Sequence, residues 1–116
     1  MTNGLTPDYD ENNKITVLDT RTCNAGNTSG CNQMPVATVT VPGPLNNNDT
    51  GNLSAMALDA TTHTLYVGDA HDGPASMINT ATCNAMNTTG CTQTPTTMVN
   101  GDQITLDSST HSVYIG

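Results

Sequence analysis

Two stretches of this chain occur twice, and that repetition narrows the fold more than any other feature. Ala57-Leu58-Asp59-Ala60-Thr61-Thr62-His63-Thr64-Leu65-Tyr66-Val67-Gly68 returns 48 positions later as Thr105-Leu106-Asp107-Ser108-Ser109-Thr110-His111-Ser112-Val113-Tyr114-Ile115-Gly116. The run Ile15-Thr16-Val17-Leu18-Asp19-Thr20-Arg21-Thr22-Cys23-Asn24 is matched by Ser76-Met77-Ile78-Asn79-Thr80-Ala81-Thr82-Cys83-Asn84, in a register of 60. The two periods differ because residues 42–52, rich in Pro, Gly and Asn, form an insertion.

The repeated segments read as strands. Each is short and alternating, rich in Val, Ile, Leu, Thr and Tyr, and bounded by Gly, Asp, Asn or Pro. No segment has helical periodicity over a useful length, so the expected class is all-β. Expected strands a to d of one unit fall at 55–59, 64–68, 75–79 and 96–100. Strands c and d of a preceding unit fall at 14–19 and 36–41, and strands a and b of a following one within 103–116. The a-to-b turn carries Asp-x-x-Thr-His twice, with His63 and His111 placed to bond the carboxylates of Asp59 and Asp107. Because these histidines repeat, they read as turn residues rather than catalytic ones.

A four-strand unit of roughly 40–50 residues in tandem is the blade of a β-propeller. Tyr66-Val67-Gly68-Asp69 and Tyr114-Ile115-Gly116, followed by strands at Ile15–Thr22 and Met77–Thr82, resemble the YVTN family of β-propeller repeats, found in many extracellular bacterial and archaeal proteins. The resemblance spans nearly the whole chain apart from the insertion and the N-terminal loop. It implies four-stranded antiparallel blades cut in mid-blade: a half-blade c–d at 14–41, a complete blade at 54–100 and a half-blade a–b at 103–116. Half-blades leave unpaired edges. The expected solution is a head-to-tail ring in which the last strands of one copy pair with the first of the next, as a homotrimer or homotetramer. The alternative is a piece of a longer propeller.

Four cysteines form two pairs in the same setting, Cys23 with Cys31 and Cys83 with Cys91. The spacing is too wide for the usual zinc pattern. Two local disulfides are the favoured reading against four reduced buried thiols, and they imply an oxidising, extracellular or cell-surface setting. Met1-Thr2-Asn3-Gly4 has neither the basic start nor the apolar stretch of a secretion leader. The chain therefore reads as mature, a fragment, recombinant, or intracellular after all.

Composition excludes several functions. With Lys and Arg numbering 2 against 10 Asp and Glu, the net charge is −8. That is wrong for nucleic acid and for an anionic membrane surface. No apolar run approaches the roughly 20 residues of a membrane helix.

Two loops could hold a divalent cation. Asp8, Asp10 and Asn12 stand at positions one, three and five of a calcium-loop pattern, with Asp19 at position twelve and Asn13 in place of the usual glycine. Strand c already claims Asp19, so a solvated acidic loop is the favoured reading. Asp69, His71 and Asp72 occupy the same b-to-c loop of the complete blade and could bind metal or exchange protons. A turn is the favoured reading there too. No Gly-x-Ser-x-Gly or His-Glu-x-x-His motif is present. Glycosylation sequons stand at Asn27, Asn48, Asn52 and Asn87.

The functional expectation is an extracellular repeat module with a structural or binding role, offering its loops, above all 43–51, to a protein or carbohydrate ligand. The alternative is a lactonase-like or other hydrolytic propeller with a divalent metal, such as calcium, near the axis. A third reading is a building block whose only activity is assembly.

Overall fold

The computed structural model describes residues 14–32, 34–41, 53–69 and 73–116. The described residues form eight strands and no helix. These are β1 (Lys14–Val17), β2 (Ala37–Thr40), β3 (Leu53–Asp59), β4 (Thr64–Asp69), β5 (Pro74–Asn79), β6 (Thr96–Asn100), β7 (Ile104–Asp107) and β8 (Ser112–Ile115). All pairing is antiparallel. Strands β1 and β2 form one sheet, β3-β4-β5-β6 a second in sequence order, and β7 and β8 a third. The observed strand ends lie within two residues of those expected from the alternation. β1 stops early because Asp19 turns the chain: its carbonyl accepts from the Thr22 amide and its carboxylate grips Arg21.

The two hairpin turns are built alike. Asp59 pairs with Thr64 across a four-residue loop, and Asp107 with Ser112. The histidines do not bond the carboxylates, contrary to expectation. Asp59 Oδ1 accepts from the Thr61 amide at 3.0 Å and the Thr61 hydroxyl at 2.6 Å. Asp107 Oδ1 accepts from the Ser109 amide at 3.0 Å and its hydroxyl at 2.6 Å. Asp and Thr or Ser two residues apart make this closure with little side-chain freedom to lose. His63 and His111 instead take the left-handed conformation that closes the loop, with φ of 55° and 57°. Histidine enters that region more readily than a β-branched residue would.

The β1–β2 and β5–β6 connections each carry a disulfide, Cys23–Cys31 and Cys83–Cys91, with Cα atoms 4.7 Å apart in both. Inside each loop the two asparagines exchange backbone bonds, Asn24 with Asn27 and Asn84 with Asn87. The Gly90 amide donates to the Thr82 carbonyl at 2.7 Å, as Gly30 does to Thr22. A Cβ at either glycine would run into the side chain of that threonine.

The core lies between sheets. Alternation places Ile15 and Val39 on one face of the first hairpin and Leu65, Val67 and Ile78 on one face of the central sheet. Ile15, Val39, Val67 and Ile78, with Val41, Cys83 and Cys91, make one buried cluster, and the half-buried Leu65 packs against it. Each buried Val or Ile contributes roughly 1.5–3 kcal/mol. The third sheet sits on the opposite face of the central one. Gly68 follows Val67, so its missing side chain would point to that opposite face, where a Cβ would lie 2.7 Å from the Asp102 carbonyl oxygen. Only glycine permits that approach. Strand β7 then lies against β3 and β4.

Candidate functional site

The antiparallel order sorts the connections to two ends of the molecule. The hairpin turns at His63 and His111 share one end with the disulfide loops, as the Thr80 amide bonding the His63 carbonyl at 2.8 Å shows. The β4–β5 and β6–β7 connections lie at the other end. There the Asp69 amide donates to the Gly101 carbonyl at 2.8 Å. The Ser54 hydroxyl donates to the Asp102 carbonyl at 2.6 Å. The Asp102 and Gln103 amides both donate to the Gly116 carbonyl. The β6–β7 connection is therefore tied by hydrogen bonds to β3, β4 and Gly116.

Of the sequence-predicted metal residues, Asp69 is the one described. It is the last residue of β4, buried, and opposite Leu53 rather than out in a loop. Asp8, Asp10, Asn12, His71 and Asp72 lie outside the described residues, as do the insertion 42–52 and its sequons Asn48 and Asn52. Among the described residues no group of three or more His, Cys, Asp or Glu could hold a metal ion. His63 precedes β4 and Asp69 ends it, so at about 3.3 Å per residue they stand roughly 20 Å apart and cannot act together.

The described carboxylates with perturbed acidity are all turn acceptors. Hydrogen bonds from the Arg21 side chain, then from its amide, hold Asp19 down at about 2, and the same partnership pushes the guanidinium up. The pair meets at 2.6 Å. The Thr61 hydroxyl lowers Asp59 against the opposing effect of burial. The Ser109 and Thr110 hydroxyls lower Asp107 in the same way. A carboxylate already accepting several bonds and pushed toward stronger acidity is poorly placed to exchange protons near neutral pH.

Sequence reasoning missed two polar residues. The Gln93 side chain takes the Asn79 amide at 2.9 Å and donates to the Gly90 carbonyl at 2.7 Å, fastening the disulfide loop to β5. The repeat carried a signal for it, since Gln33 holds the same place 60 positions earlier. Ser76 is buried, and its hydroxyl has no hydrogen-bond partner among the described residues. Nothing in its short polar side chain marked that position as interior.

Among the described residues an apolar groove runs between the outer edge of β1 and the face of β3. Lys14, Ile15, Thr16, Leu53 and Met56 line one stretch of it. Val17, Leu18, Leu58 and Leu65 line its continuation. It holds neither a charged cluster nor a nucleophile set, so it is suited to backbone pairing and apolar contact rather than to chemistry.

No family model, no curated protein and no solved structure matches the chain. The two disulfides are the chemistry of an oxidising environment.

Proposed function

We propose that the chain is a repeat module of an extracellular β-propeller with a structural or binding role, its ring completed head to tail by further copies. The YVTN-like repeat supports this reading. One observation carries it: two half-size sheets lie on opposite faces of a four-stranded sheet, in chain order, and each repeats half of that sheet's residues. Neighbouring blades of a propeller would stack in this way. Rigidity would come from the stacked sheets and disulfides. Binding would fall to the connections between strands, above all residues 43–51, since loops vary at little expense to the core. The partner chemistry that suits such a surface is neutral and polar, a protein or carbohydrate, since Thr and Asn dominate and cations are nearly absent.

Particle images by negative-stain electron microscopy test the reading. The expected view is a ring of six or eight radial sheets from three or four copies. Compact particles of single-chain size would overturn it.

A further inference from the structure

The repeat allows each half-size sheet to be compared with its complete counterpart. In the central sheet Thr64 stands opposite Asn79, Leu65 opposite Ile78, Tyr66 opposite Met77 and Val67 opposite Ser76. The same positions in β8 and in β1 with the two residues that follow it are Ser112 and Asp19, Val113 and Leu18, Tyr114 and Val17, and Ile115 and Thr16. These two strands belong to different sheets, and each is paired along one edge, β8 to β7 and β1 to β2.

Exposure departs from the repeat where a neighbour is missing. Ile78 is 2% exposed and its counterpart Leu18 is 41% exposed. Val39 is 1% exposed and its counterpart Val99 is 66% exposed. Tyr66 is half-buried, whereas Tyr114 is exposed. Met56 and Leu58 are exposed, whereas Ile104 and Leu106 are half-buried because β7 lies against β3 and β4. A single docking event accounts for all of the exposed members.

We infer that the groove between β1 and β3 takes the β7–β8 hairpin of a second copy of this chain, with β8 pairing antiparallel to Thr16 and Val17 of β1 and extending that strand over the next two residues, as Ser112–Asp19, Val113–Leu18, Tyr114–Val17 and Ile115–Thr16. This rests on the head-to-tail reading above and specifies its seam. The incoming hairpin lays Tyr114 over Met56 and Leu58, on the face of β3 opposite the one that β7 covers within one chain. It completes a four-stranded sheet in the order β7-β8-β1-β2. Leu18 of the receiving copy then packs toward Val99 of the incoming one, repeating the contact of Ile78 with the first hairpin. The bond from the Thr80 amide to the His63 carbonyl gains its counterpart between Thr20 and His111. The occupant is a copy of this chain because the chain itself carries the hairpin whose sequence, turn and register match the vacancy. An open edge left unpaired would otherwise recruit strands without register.

Cross-linking tests the seam. Thr16→Cys and Ile115→Cys, made in separate chains, are mixed and oxidised. All four native cysteines are engaged in disulfides, so each variant offers one thiol. The expected result is an inter-chain dimer in this mixture, with yield at least tenfold lower when Val113→Cys, two positions out of register, replaces Ile115→Cys. Equal yields, or no cross-link, overturn the register. A double variant that cross-links within one chain and runs as a monomer overturns the second copy as occupant. Light scattering on the same samples separates the two levels: a ring mass without the 16–115 cross-link overturns the seam alone, and a single-chain mass overturns the ring with it. Amide exchange in the unmodified chain gives an independent check. Exchange in β1 and β8 slows as concentration rises, while β4 and β5 stay unchanged; exchange that ignores concentration contradicts the proposal.

Discussion

The β1–β2 hairpin and the β5–β6 half of the central sheet carry matching residues around matching disulfides, yet they bury opposite positions. In the first, Val39 is interior and Leu18 faces out; in the second, Ile78 is interior and Val99 faces out. The residue types are nearly the same at each pair, so hydrophobicity does not account for the difference. The neighbouring sheet does. The first hairpin has a sheet on the face that carries Val39, and the β5–β6 half has one on the face that carries Ile78. The disulfide loops differ in the same sense: Cys83 and Cys91 belong to the buried cluster, and Cys23 and Cys31 are only half-buried. In a repeat fold, the stability contributed by a position depends on whether its face is covered.

The sharpest way to break that equivalence is to remove one disulfide at a time. Both loops span the same separation of 8 residues. Closure entropy alone therefore gives each about 2–3 kcal/mol. Replacing Cys83 and Cys91 together by Ala should destabilise the chain by about 3–4 kcal/mol in urea unfolding, because buried sulfur contacts are lost as well. The same change at Cys23 and Cys31 should stay near the entropic figure. Equal losses would remove the distinction.

A smaller effect comes from single core positions. Ile78→Ala should lower stability by about 2–3 kcal/mol through the cavity it leaves. Leu18→Ala should change single-chain stability by less than about 0.5 kcal/mol, as an exposed substitution does. Its effect should appear instead as a loss of assembled mass. Guanidinium or urea titration at low protein concentration separates the two quantities.

The smallest effect is in acid. Asp19, Asp59 and Asp107 all ionise more readily in the folded chain than the ordinary value of 3.8. The stability they contribute is fully present above pH 4 and is lost as pH falls through the folded values, for Asp19 down to about 2. Thermal melts from pH 6 to pH 2 should show a plateau and then a decline beginning near pH 4. Asp19→Asn should flatten the lowest part of that decline.

Much of the architecture was legible in the residues. Short alternating runs ended by Gly, Asn or Asp located the eight strands of the described residues, because alternation with period two is a direct imprint of a half-covered sheet. The doubled cysteine spacing located both disulfides. The turn mechanism was misread at His63 and His111. The closure is made by Asp59 with Thr61 and by Asp107 with Ser109, and an Asp with Ser or Thr two residues on was visible as the local signal for it. The choice between Val39 and Val99 as the interior residue could not be read from sequence, since it depends on a neighbouring sheet distant in the chain. The metal candidates were proposed as loop residues, and Asp69 instead ends a strand in the interior.

Solution mass by light scattering at micromolar concentration tests the central claim most directly. The account predicts three or four chains per particle, with Leu18→Asp reducing the mass to one folded chain. A wild-type protein that stays a folded single chain would contradict it.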